Sequence, residues 1–572
     1  MAIDLALTGA GRLALAVHFR ALPLVLVAAS LSAETAPRPN IVVILSDDMG
    51  WGQPGFNGGT EVETPNLDRI AYEGVRLTQF YVVPSCSPTR ASLISGRHHW
   101  KTGGKSERPT EDTIMGLLPD ERTMAEALGD AGYATWMVGK WHLGQWNHEH
   151  LPLQRGFDHH YGFYSGTTGY YSHRVRDKLS WHRNGRPVVE SGYTTFLLAE
   201  EAVQLIERHD EARPFFLYLA FNAPHLPRGV PPEYKARYAH LSNPDQRGQV
   251  KAMDDAIGWV IDALERKDVL DDTLVVFFND NGGLERAGWN RPYRRGKGEF
   301  LEGGIRVPAV MRWPGNIPGG SETDALLHVV DLFPTFAGLA GAEPERELPL
   351  DGLDAWQAIA GGAPSPRQEL VHSLKVMRVG DWKLIEEDGQ FLNGDASSLR
   401  LHNIREDPYE STNLASSETA KVAELRGRLE YHRQFARDQA PTRRVPASAV
   451  VYGKEENAAY GAAVRRALRM LEDSDASWRS GNTGPTLVRL EAAGGRVKLV
   501  YDEALDTDSV PPEDAFTVVV NPGYTPVGVT EVEVRGTDVL LTLDERPALD
   551  ETVGLTYEVP DSGAIRDLDR LD

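Results

Sequence analysis

Residues 39–52 read PNIVVILSDDMGWG, in which five apolar residues, 41–45, lead directly into two aspartates. The run does not alternate with polar residues, which is typical of a strand buried on both faces of a sheet. Similar runs recur at residues 134–138, 215–221 and 274–278. Helix-like segments lie between these runs at residues 66–73, 123–132, 197–209 and 250–267. This alternation predicts an α/β domain with a mostly parallel sheet.

The sequence changes character after residue 365, which we take as the end of a domain that begins at residue 38. Residues 366–440 predict a smaller α+β subdomain, with short strands at 369–374, 377–379, 382–385 and 399–403 and a helix at 419–436. Residues 441–483 are charged and rich in alanine and serine, and we expect a helical connector there. Residues 484–572 contain short β-branched segments separated by turn residues, which predicts an antiparallel β-sandwich.

The overall composition limits the classes of function. A chain of 572 residues exceeds what one hydrophobic core organises, so two or three domains are expected. The formal net charge of −22 argues against nucleic acid as a partner, because phosphate backbones bind basic surfaces. An anionic substrate is still compatible with this charge, since a few local cations dominate a buried site.

The first 33 residues have the pattern of an export signal. Arg12 and Arg20 precede an apolar run at residues 21–29, and small residues follow it. The run is shorter than a membrane-spanning helix requires, and no later stretch is long enough, so no transmembrane segment is expected. We therefore predict a signal peptide over residues 1–33 and a periplasmic or secreted protein. The alternative is a disordered N-terminus.

Polar side chains follow each of the four predicted strands at its carboxyl end. In chain order they are Asp47, Asp48, Lys140, His142, His225, Asp280 and Asn281. Parallel strands place such residues at one edge of the sheet, so we expect them to form one site. Carboxylate and amide oxygens are typical ligands of calcium or magnesium, and three neighbouring carboxylates need a cation to offset their repulsion. The alternative for each aspartate or asparagine is a cap on the following helix.

Cys86 is the only cysteine, so it cannot form an intrachain disulfide in an exported protein. It begins the segment Cys86-Ser87-Pro88-Thr89-Arg90, in which Pro88 suits the first turn of a helix. Cys86 is therefore expected at a helix N-terminus, where an anion is favoured, with Arg90 on the same side. These features indicate a reactive side chain in an electropositive pocket. The alternative is a small buried apolar residue.

The segment around Cys86 resembles the signature of the type I sulfatases, a family with the alkaline-phosphatase-like fold. The signature is Cys-x-Pro-x-Arg, which continues here into Ser95-Gly96-Arg97. Further motifs agree in order and spacing across residues 38–440: Ser46-Asp47-Asp48-Met49-Gly50-Trp51-Gly52, Gly139-Lys140-Trp141-His142-Leu143-Gly144, Asn279-Asp280-Asn281-Gly282-Gly283, and Arg295-Gly296-Lys297 with Glu302-Gly303-Gly304. The resemblance implies a mostly parallel sheet sandwiched by helices and a sulfuric ester hydrolase.

In this family a formylglycine-generating or equivalent maturation enzyme oxidises the cysteine to formylglycine (3-oxoalanine), whose hydrated form attacks sulfur. The resemblance implies that Cys86 becomes this nucleophile and that Arg90 orients it. It also implies one calcium ion, with the modified Cys86 completing a shell made by Asp47, Asp48, Asp280 and Asn281.

The resemblance assigns the remaining polar residues to the sulfate group. It implies that Lys140, His225 and Lys297 hold the sulfate oxygens. It implies that His142 assists breakdown of the covalent sulfate hemiacetal. The proton donor to the leaving oxygen is expected to be His225, together with Lys297.

Three further stretches are similar to the arylsulfatase B branch, which acts on 4-sulfated N-acetylgalactosamine in glycosaminoglycans. They are residues 151–158, 170–173 and 350–356. The similarity implies a sulfated carbohydrate substrate, either this sugar or another sulfated polysaccharide. It also implies that Tyr171, His173 and Trp289 select the substrate.

The C-terminal residues carry a separate resemblance. Residues 500–505 and the strand pattern after them resemble bacterial Ig-like repeats of large surface proteins. The resemblance implies an appended Ig-like β-sandwich that contacts a cell surface or a polymer.

Two other functions are compatible with the sequence. A phosphonate monoester or phosphodiester hydrolase would share the Cys-x-Pro-x-Arg pattern, although such relatives tend to be cytoplasmic. A catalytically silent glycan-binding surface protein would keep the fold without turnover, which the intact set of metal ligands and cations disfavours.

Overall fold

The apolar run that opens the domain forms a central strand, Asn40–Ser46, in a computed structural model of the chain. The structure describes residues 38–438 apart from 103–115, 146–147, 176–177, 211, 285–288, 345–347 and 387–398, and after them only strands between residues 449 and 557. The predicted signal peptide lies outside the described residues.

The central strand belongs to a large sheet that contains ten strands within the described ranges. Across the sheet their order is Ser321–Thr323, Val75–Leu77, Ala309–Arg312, Thr273–Asn279, Asn40–Ser46, Phe215–Ala220, Ala134–Lys140, His159–Phe163, His182–Arg183 and Arg186–Pro187. The five consecutive strands from Thr273–Asn279 to His159–Phe163 are parallel. The prediction of a mostly parallel α/β sheet is therefore confirmed.

Both faces of this sheet are covered, which explains the unbroken apolar runs. Side chains of one strand alternate between two hydrophobic clusters: Ile41 and Val43 lie in one, Val42 and Ile44 in the other. Each such side chain contributes about 1.5–3 kcal/mol when it is fully buried. One face carries helices Cys86–Ser95, Met124–Asp130 and Leu332–Ala340. The other face carries helices Pro65–Tyr72, Thr194–Arg208 and Pro244–Arg266.

Local sequence signals set several helix boundaries. Thr123 and Glu126 form a capping box at the start of Met124–Asp130, as the predicted start at residue 123 requires. Proline occupies the first turn of Pro65–Tyr72 and of Pro244–Arg266. The latter helix begins six residues before the predicted start at residue 250, because its first turns are polar in sequence and yet buried.

A second sheet forms the predicted smaller subdomain. Its four antiparallel strands are Glu369–Ser373, Val376–Val379, Trp382–Ile385 and Arg400–Asn403. Helix Thr419–Asp438 packs on this sheet through Val422, Leu425 and Leu429. The prediction of a small antiparallel sheet with a helix is confirmed.

The strands beyond residue 449 form two antiparallel sheets of four described strands each. One sheet has the order Ala449–Tyr452, Thr552–Tyr557, Phe516–Val520 and Thr525–Val527; the other has Leu487–Ala493, Arg496–Tyr501, Asp538–Leu543 and Val529–Arg535. Ala449–Tyr452 is a strand inside the segment expected to be a helical connector, and the rest of that segment lies outside the described residues. The Ig-like character of this region stays a prediction.

Short elements complete the described chain. The helical ones are Gly55–Asn57, His99–Lys101, His148–His150, Pro152–Gln154, Pro232–Arg237, Glu302–Ile305, Val329–Asp331 and Trp356–Ile359. Two pairs of short strands lie outside the sheets above: Phe80–Tyr81 with Leu327–His328, and Arg174–Val175 with Lys178–Leu179. None of the described helices has both the length and the apolar character needed to cross a bilayer.

Candidate active site

The carboxyl ends of the parallel strands meet at one edge of the large sheet, as predicted. The backbone N–H of Asp280 donates to the carbonyl of Ser46, and that of Asp47 donates to the carbonyl of Ala223, so three strand ends are joined directly. The structure brings ten predicted residues together there: Asp47, Asp48, Cys86, Arg90, Lys140, His142, His225, Asp280, Asn281 and Lys297.

Asp47 lies between two buried cations, Lys140 and Arg90, and Asp280 pairs with Arg90. Lys140 Nζ is 2.6 Å from Asp47 Oδ2. Arg90 donates to Asp280 Oδ2 from Nε at 3.1 Å and from Nη2 at 2.8 Å, and its Nη1 donates to the Lys140 carbonyl at 2.7 Å. All four side chains are fully buried. Arg90 therefore fixes a carboxylate and the end of a neighbouring strand at the same time.

Asp48 is the meeting point of a second group of side chains. Asn281 Nδ2 donates to Asp48 Oδ1 at 2.8 Å, and Lys297 Nζ donates to the same oxygen at 2.6 Å. His225 Nε2 is 3.7 Å from Asp48 Oδ2. The Nδ1 of His225 faces the Leu226 carbonyl at 2.5 Å, which leaves Nε2 directed at the site. The side chains of His225 and Lys297 are 20% and 14% exposed, so both reach solvent.

The oxygens of this edge have the character of a metal site. Asp47 Oδ1, Asp280 Oδ1 and Asn281 Oδ1 are buried, and no group in the described part of the chain donates a hydrogen bond to them. Asp47, Asp280 and Cys86 each offer a ligand atom, and these atoms lie within 4.8 Å of one another. Buried oxygens without donors are costly unless a cation or another partner satisfies them. The set of ligands fits a hard cation such as calcium.

Charge balance at this edge supports the same conclusion. Burial alone would raise the pKa of Asp47, but His225, Lys140, Lys297 and Arg90 together hold that pKa well below its usual value. Burial and the charge of Asp47 raise the pKa of Asp280 well above its usual range, in spite of Arg90. The protein's own cations therefore do not suffice to keep Asp280 ionised, and a bound cation would favour its carboxylate form.

Cys86 is the first residue of helix Cys86–Ser95, where the sequence placed it. Its Sγ is 3.3 Å from His142 Nδ1. Burial opposes ionisation of the thiol, yet the charges of Lys140 and Lys297 lower the pKa of Cys86. Free N–H groups at the helix N-terminus add to this positive potential. The alternative of an inert buried cysteine does not fit these surroundings.

His142 is held in a neutral, base-competent state beside Cys86. Its φ of 56° turns the chain sharply after the strand, and Ser87 Oγ donates to its carbonyl at 2.9 Å. Burial, together with the positive charges of Lys140 and Arg90, lowers the pKa of His142 well below its usual value. A Cβ on Gly166 would lie 2.6 Å from His142 Nε2, so the loop at residue 166 packs directly on the ring.

The loop that carries Lys297 is hydrogen-bonded to the segment that follows strand Thr273–Asn279. The Lys297 N–H donates to the Gly283 carbonyl at 3.2 Å. Farther along, Gly304 packs so closely that a Cβ there would lie 2.0 Å from the Glu299 carbonyl oxygen. Burial alone would lower the pKa of Lys297, but Asp48 raises it above its usual value, and the ammonium stays charged. The Gly303-Gly304 pair thus lets this loop fold tightly behind the lysine.

Glu302 connects the same loop to the small subdomain. Its carboxylate is 2.9 Å from Lys383 Nζ and accepts a hydrogen bond from Tyr81 Oη at 2.6 Å. Lys383 also pairs with Glu410 at 2.6 Å, and these three charged side chains are fully buried. The two parts of the chain therefore share a buried charge network behind the site.

Two residues that the sequence argument did not single out support the site. Asn279 Oδ1 accepts from Ser46 Oγ at 2.7 Å and from the Met49 N–H at 3.0 Å, so it holds the turn that presents Asp48. Tyr170 Oη donates to the carbonyls of Asn222 and His225, at 2.9 and 3.1 Å. Asn279 could have been found, because it opens the motif at residues 279–283.

The three predicted substrate-selecting residues have different surroundings. Tyr171 is 49% exposed and packs against Tyr193. His173 is buried and stacks on Trp181 at 4.8 Å, which argues against the substrate contact predicted for it. Trp289 is also buried, because its backbone packs on Gly50 and its carbonyl accepts from the Gly52 N–H. Of the three, only Tyr171 is exposed.

The arrangement suits transfer of a doubly or singly charged oxyanionic group. A reactive side chain stands at a helix N-terminus, with a neutral histidine beside it, and Lys140, Lys297 and His225 are close enough for their charges to act on it. Charges placed in advance around equatorial oxygens stabilise an in-line transition state of this type.

Comparison with known proteins identifies the family to which the chain belongs. Residues 39–342 match the family model described as Sulfatase. Residues 480–562 match a model described as a flagellar system-associated repeat.

Curated relatives extend the similarity beyond the family model. N-acetylgalactosamine-6-sulfatase of Sus scrofa is 39% identical over 376 residues, which cover 60% of this chain and 70% of that protein. The Homo sapiens protein of the same name is 36% identical over 366 residues and covers 58% and 68%. Arylsulfatase J of Mus musculus is 31% identical over 469 residues and covers 72% and 77%.

Solved structures share the fold. The crystal structure of Ps i-CgsB in complex with k-i-k-neocarrahexaose has a TM-score of 0.64 and 30% identity, and the match covers 77% of this chain and 100% of that one. PsFucS1 sulfatase from Pseudoalteromonas sp. has a TM-score of 0.62 and 26% identity, over 72% of this chain and 93% of that one.

Proposed function

Because this chain belongs to the sulfatase family and is a sulfuric ester hydrolase, we propose that it removes sulfate from a sulfated carbohydrate through a formylglycine made from Cys86. The observation that carries the proposal is the position of Cys86. Its Sγ stands at a helix N-terminus, 3.3 Å from a neutral histidine, and the charges of two lysines lower its pKa. Once oxidised and hydrated, residue 86 supplies a hydroxyl that attacks sulfur.

The nitrogen groups of the cleft bind and orient the sulfate. Lys140, Lys297 and His225 surround the position of the reacting group, and both lysines are anchored by aspartates. Anchored cations need little reorganisation as charge moves onto the leaving oxygen. Nε2 of His225 faces the cleft and is the group placed to protonate that oxygen. Burial lowers the pKa of His225, and a bound sulfate anion would favour its protonated form.

His142 handles the proton of residue 86. Its Nδ1 lies within hydrogen-bond reach of the side chain at that position, and its lowered pKa means that the ring is unprotonated near neutral pH. Loss of this base is expected to slow both formation and release of the sulfated enzyme.

Asp47, Asp48, Asp280 and Asn281 would hold a calcium ion. Three of their oxygens are buried and accept no hydrogen bond from the described residues. Such oxygens are the ligands that a hard cation prefers. When bound, the ion supplies positive charge that lowers the pKa of the attacking hydroxyl.

The substrate is proposed to be a sulfated N-acetylgalactosamine in a polymer. The resemblance in sequence pointed to the 4-sulfated sugar, whereas relatives 36–39% identical to this chain are named N-acetylgalactosamine-6-sulfatase. The 6-sulfated sugar is therefore the first to assay, and the 4-sulfated sugar the second. A periplasmic or secreted enzyme with a C-terminal domain that contacts a surface or polymer agrees with such a substrate.

The test begins with the state of residue 86. The protein is produced together with a formylglycine-generating enzyme, and the mass of the peptide containing Cys86 is measured. Conversion of the thiol to the aldehyde lowers that mass by about 18 Da. The converted protein should hydrolyse 4-methylumbelliferyl sulfate and 6-sulfated N-acetylgalactosamine, and Cys86→Ala should lower kcat at least about 10³-fold while the thermal midpoint stays unchanged.

Two results would contradict the proposal. If residue 86 stays a thiol beside a maturation enzyme that converts a control peptide, the nucleophile is assigned wrongly. If the converted protein prefers a phenylphosphonate ester to every sulfate ester, the reaction belongs to the phosphonate monoester class.

A further inference from the structure

Arg228 lies on the loop that carries His225, and its guanidinium is half-buried. Its Nη1 donates to the Pro224 carbonyl at 2.7 Å and to Gln249 Oε1 at 3.0 Å. Gln249 is buried on helix Pro244–Arg266, so the arginine is held at one edge between the catalytic loop and this helix. These contacts use one of its three nitrogen atoms.

The rest of the guanidinium has no partner within the described ranges. Its Nε and Nη2 donate to no protein atom there, and no carboxylate pairs with it. Three buried arginines, Arg90, Arg312 and Arg378, use all three of their nitrogens as donors, although Arg378 pairs with no carboxylate among the described residues. Nε and Nη2 of Arg228 therefore keep donor capacity for a ligand.

Arg228 lies close to residues of the candidate active site. Tyr170, which supports the His225 loop, packs against Gly229, where a Cβ would lie 3.2 Å from the tyrosine side chain. Asp48 is near enough for its charge to act on the pKa of Arg228. Leu226, on the same loop, is 47% exposed. The guanidinium therefore lies beside the candidate active site, three residues along the chain from His225 and close to Asp48.

We propose that Arg228 binds a second anionic group of the substrate, a carboxylate or a second sulfate, next to the sulfate that is removed. This inference rests on the proposed function. The planar guanidinium matches both oxyanions with two parallel hydrogen bonds, which a lysine cannot reproduce. Gln249 is a positioning residue, because it fixes the one nitrogen that does not face the ligand. The substrate class is thus an acidic glycan with more than one anionic group per repeat.

The experiment compares kcat/KM for wild type, Arg228→Gln and Arg228→Lys on four sulfate esters. They are 4-methylumbelliferyl sulfate, a 6-sulfated N-acetylgalactosamine disaccharide with a uronate, its carboxyl-reduced analogue, and a 4,6-disulfated N-acetylgalactosamine. For Arg228→Gln, the ratio of kcat/KM on the better dianionic sugar to that on the aryl sulfate should fall at least tenfold, mainly through KM. Arg228→Lys should recover part of this loss. Arg237→Gln, an exposed arginine paired with Glu63, is the matched control and should leave the ratio unchanged.

The four substrates distinguish a carboxylate from a second sulfate, and a binding measurement distinguishes this inference from the proposed hydrolysis. A loss on the uronate sugar that is absent on its reduced analogue identifies the carboxylate; a loss on the disulfated sugar alone identifies a second sulfate. An equal fall on all four esters would overturn the inference. Calorimetric binding of the same sugars to Cys86→Ala, with and without Arg228→Gln, tests the inference without turnover, so a failure of the proposed hydrolysis is recognised separately.

Discussion

At the scale of single residues, three oxygens carry the proposal of a metal site: Asp47 Oδ1, Asp280 Oδ1 and Asn281 Oδ1. Each is buried, and within the described chain each lacks a donor, although the other atoms of the same side chains are paired. A cap on a following helix would have used these oxygens to accept backbone N–H groups. The capping alternative therefore fails for these residues.

Calcium should stabilise the protein, because an ion that binds only the folded state shifts the unfolding equilibrium. At a free concentration of about 100 times Kd, the gain is about 2.7 kcal/mol. Asn281→Ala removes one ligand oxygen without changing the charge, and we expect it to weaken calcium binding at least about tenfold. The measurement is the thermal midpoint against calcium concentration after treatment with a chelator. Asn316→Ala, at an exposed amide, serves as the control, and an identical calcium response in both variants would contradict the assignment.

The residues of the candidate active site could be predicted to lie together because strand ends and motifs mark them in the sequence. The convergence of Asp47, Lys140 and Asp280 follows from parallel strand order alone. Arg228 was out of reach, since an unpaired arginine can be recognised only after every carboxylate near it is placed. The prediction that His173 contacts the substrate met a similar difficulty. Tyr171 is exposed, but the turn that follows it directs His173 into the core.

At the scale of elements, strands were predicted better than helix starts. Both faces of the central strands are buried, so each of these strands appears in the sequence as an unbroken apolar run. The first two turns of helix Pro244–Arg266 contain Gln246, Arg247 and Gln249, which are buried although they are polar. Periodicity of apolar residues cannot detect such a turn, and only Pro244 signalled it.

The loop that presents Lys297 depends on a buried charge network rather than on regular structure. Lys383 lies between Glu302 and Glu410, at 2.9 and 2.6 Å. Lys383→Met leaves two buried carboxylates without their shared cation, and we expect a loss of about 3 kcal/mol in the free energy of unfolding together with a lower kcat. Urea unfolding and turnover of an aryl sulfate measure the two effects.

A matched variant separates this network from ordinary surface charge. Lys235→Met removes an exposed lysine that pairs with Asp245, and such a pair contributes less than about 1 kcal/mol. If Lys383→Met were no more destabilising than Lys235→Met, the network would not hold the loop.

At the scale of the whole molecule, a group of buried histidines lies where the catalytic domain meets the small subdomain. His98 is 5.5 Å from His328, and His328 is 6.2 Å from His372, measured between ring centres. Burial lowers the pKa of His98 and His328 well below the usual value and lowers that of His99 and His372 to about 3. Nearby Arg367 and Lys101 add to the effect at His98, and Lys383 adds to it at His372.

These histidines should make the folded state sensitive to acid. A histidine whose folded pKa lies below its unfolded value of about 6.5 binds a proton more readily in the unfolded chain, so stability is complete above that pH and is lost as the pH falls. Between about pH 6.5 and 5, each contributes a loss of about 2 kcal/mol.

His372→Phe removes one titrating ring whose nitrogens have no hydrogen-bond partner among the described residues. Urea unfolding at pH 7 and pH 5 should show a difference smaller by about 2 kcal/mol in this variant than in wild type. His240→Phe, at an exposed position, should keep the wild-type difference, and an equal difference in all three proteins would show that the buried histidines do not control acid stability.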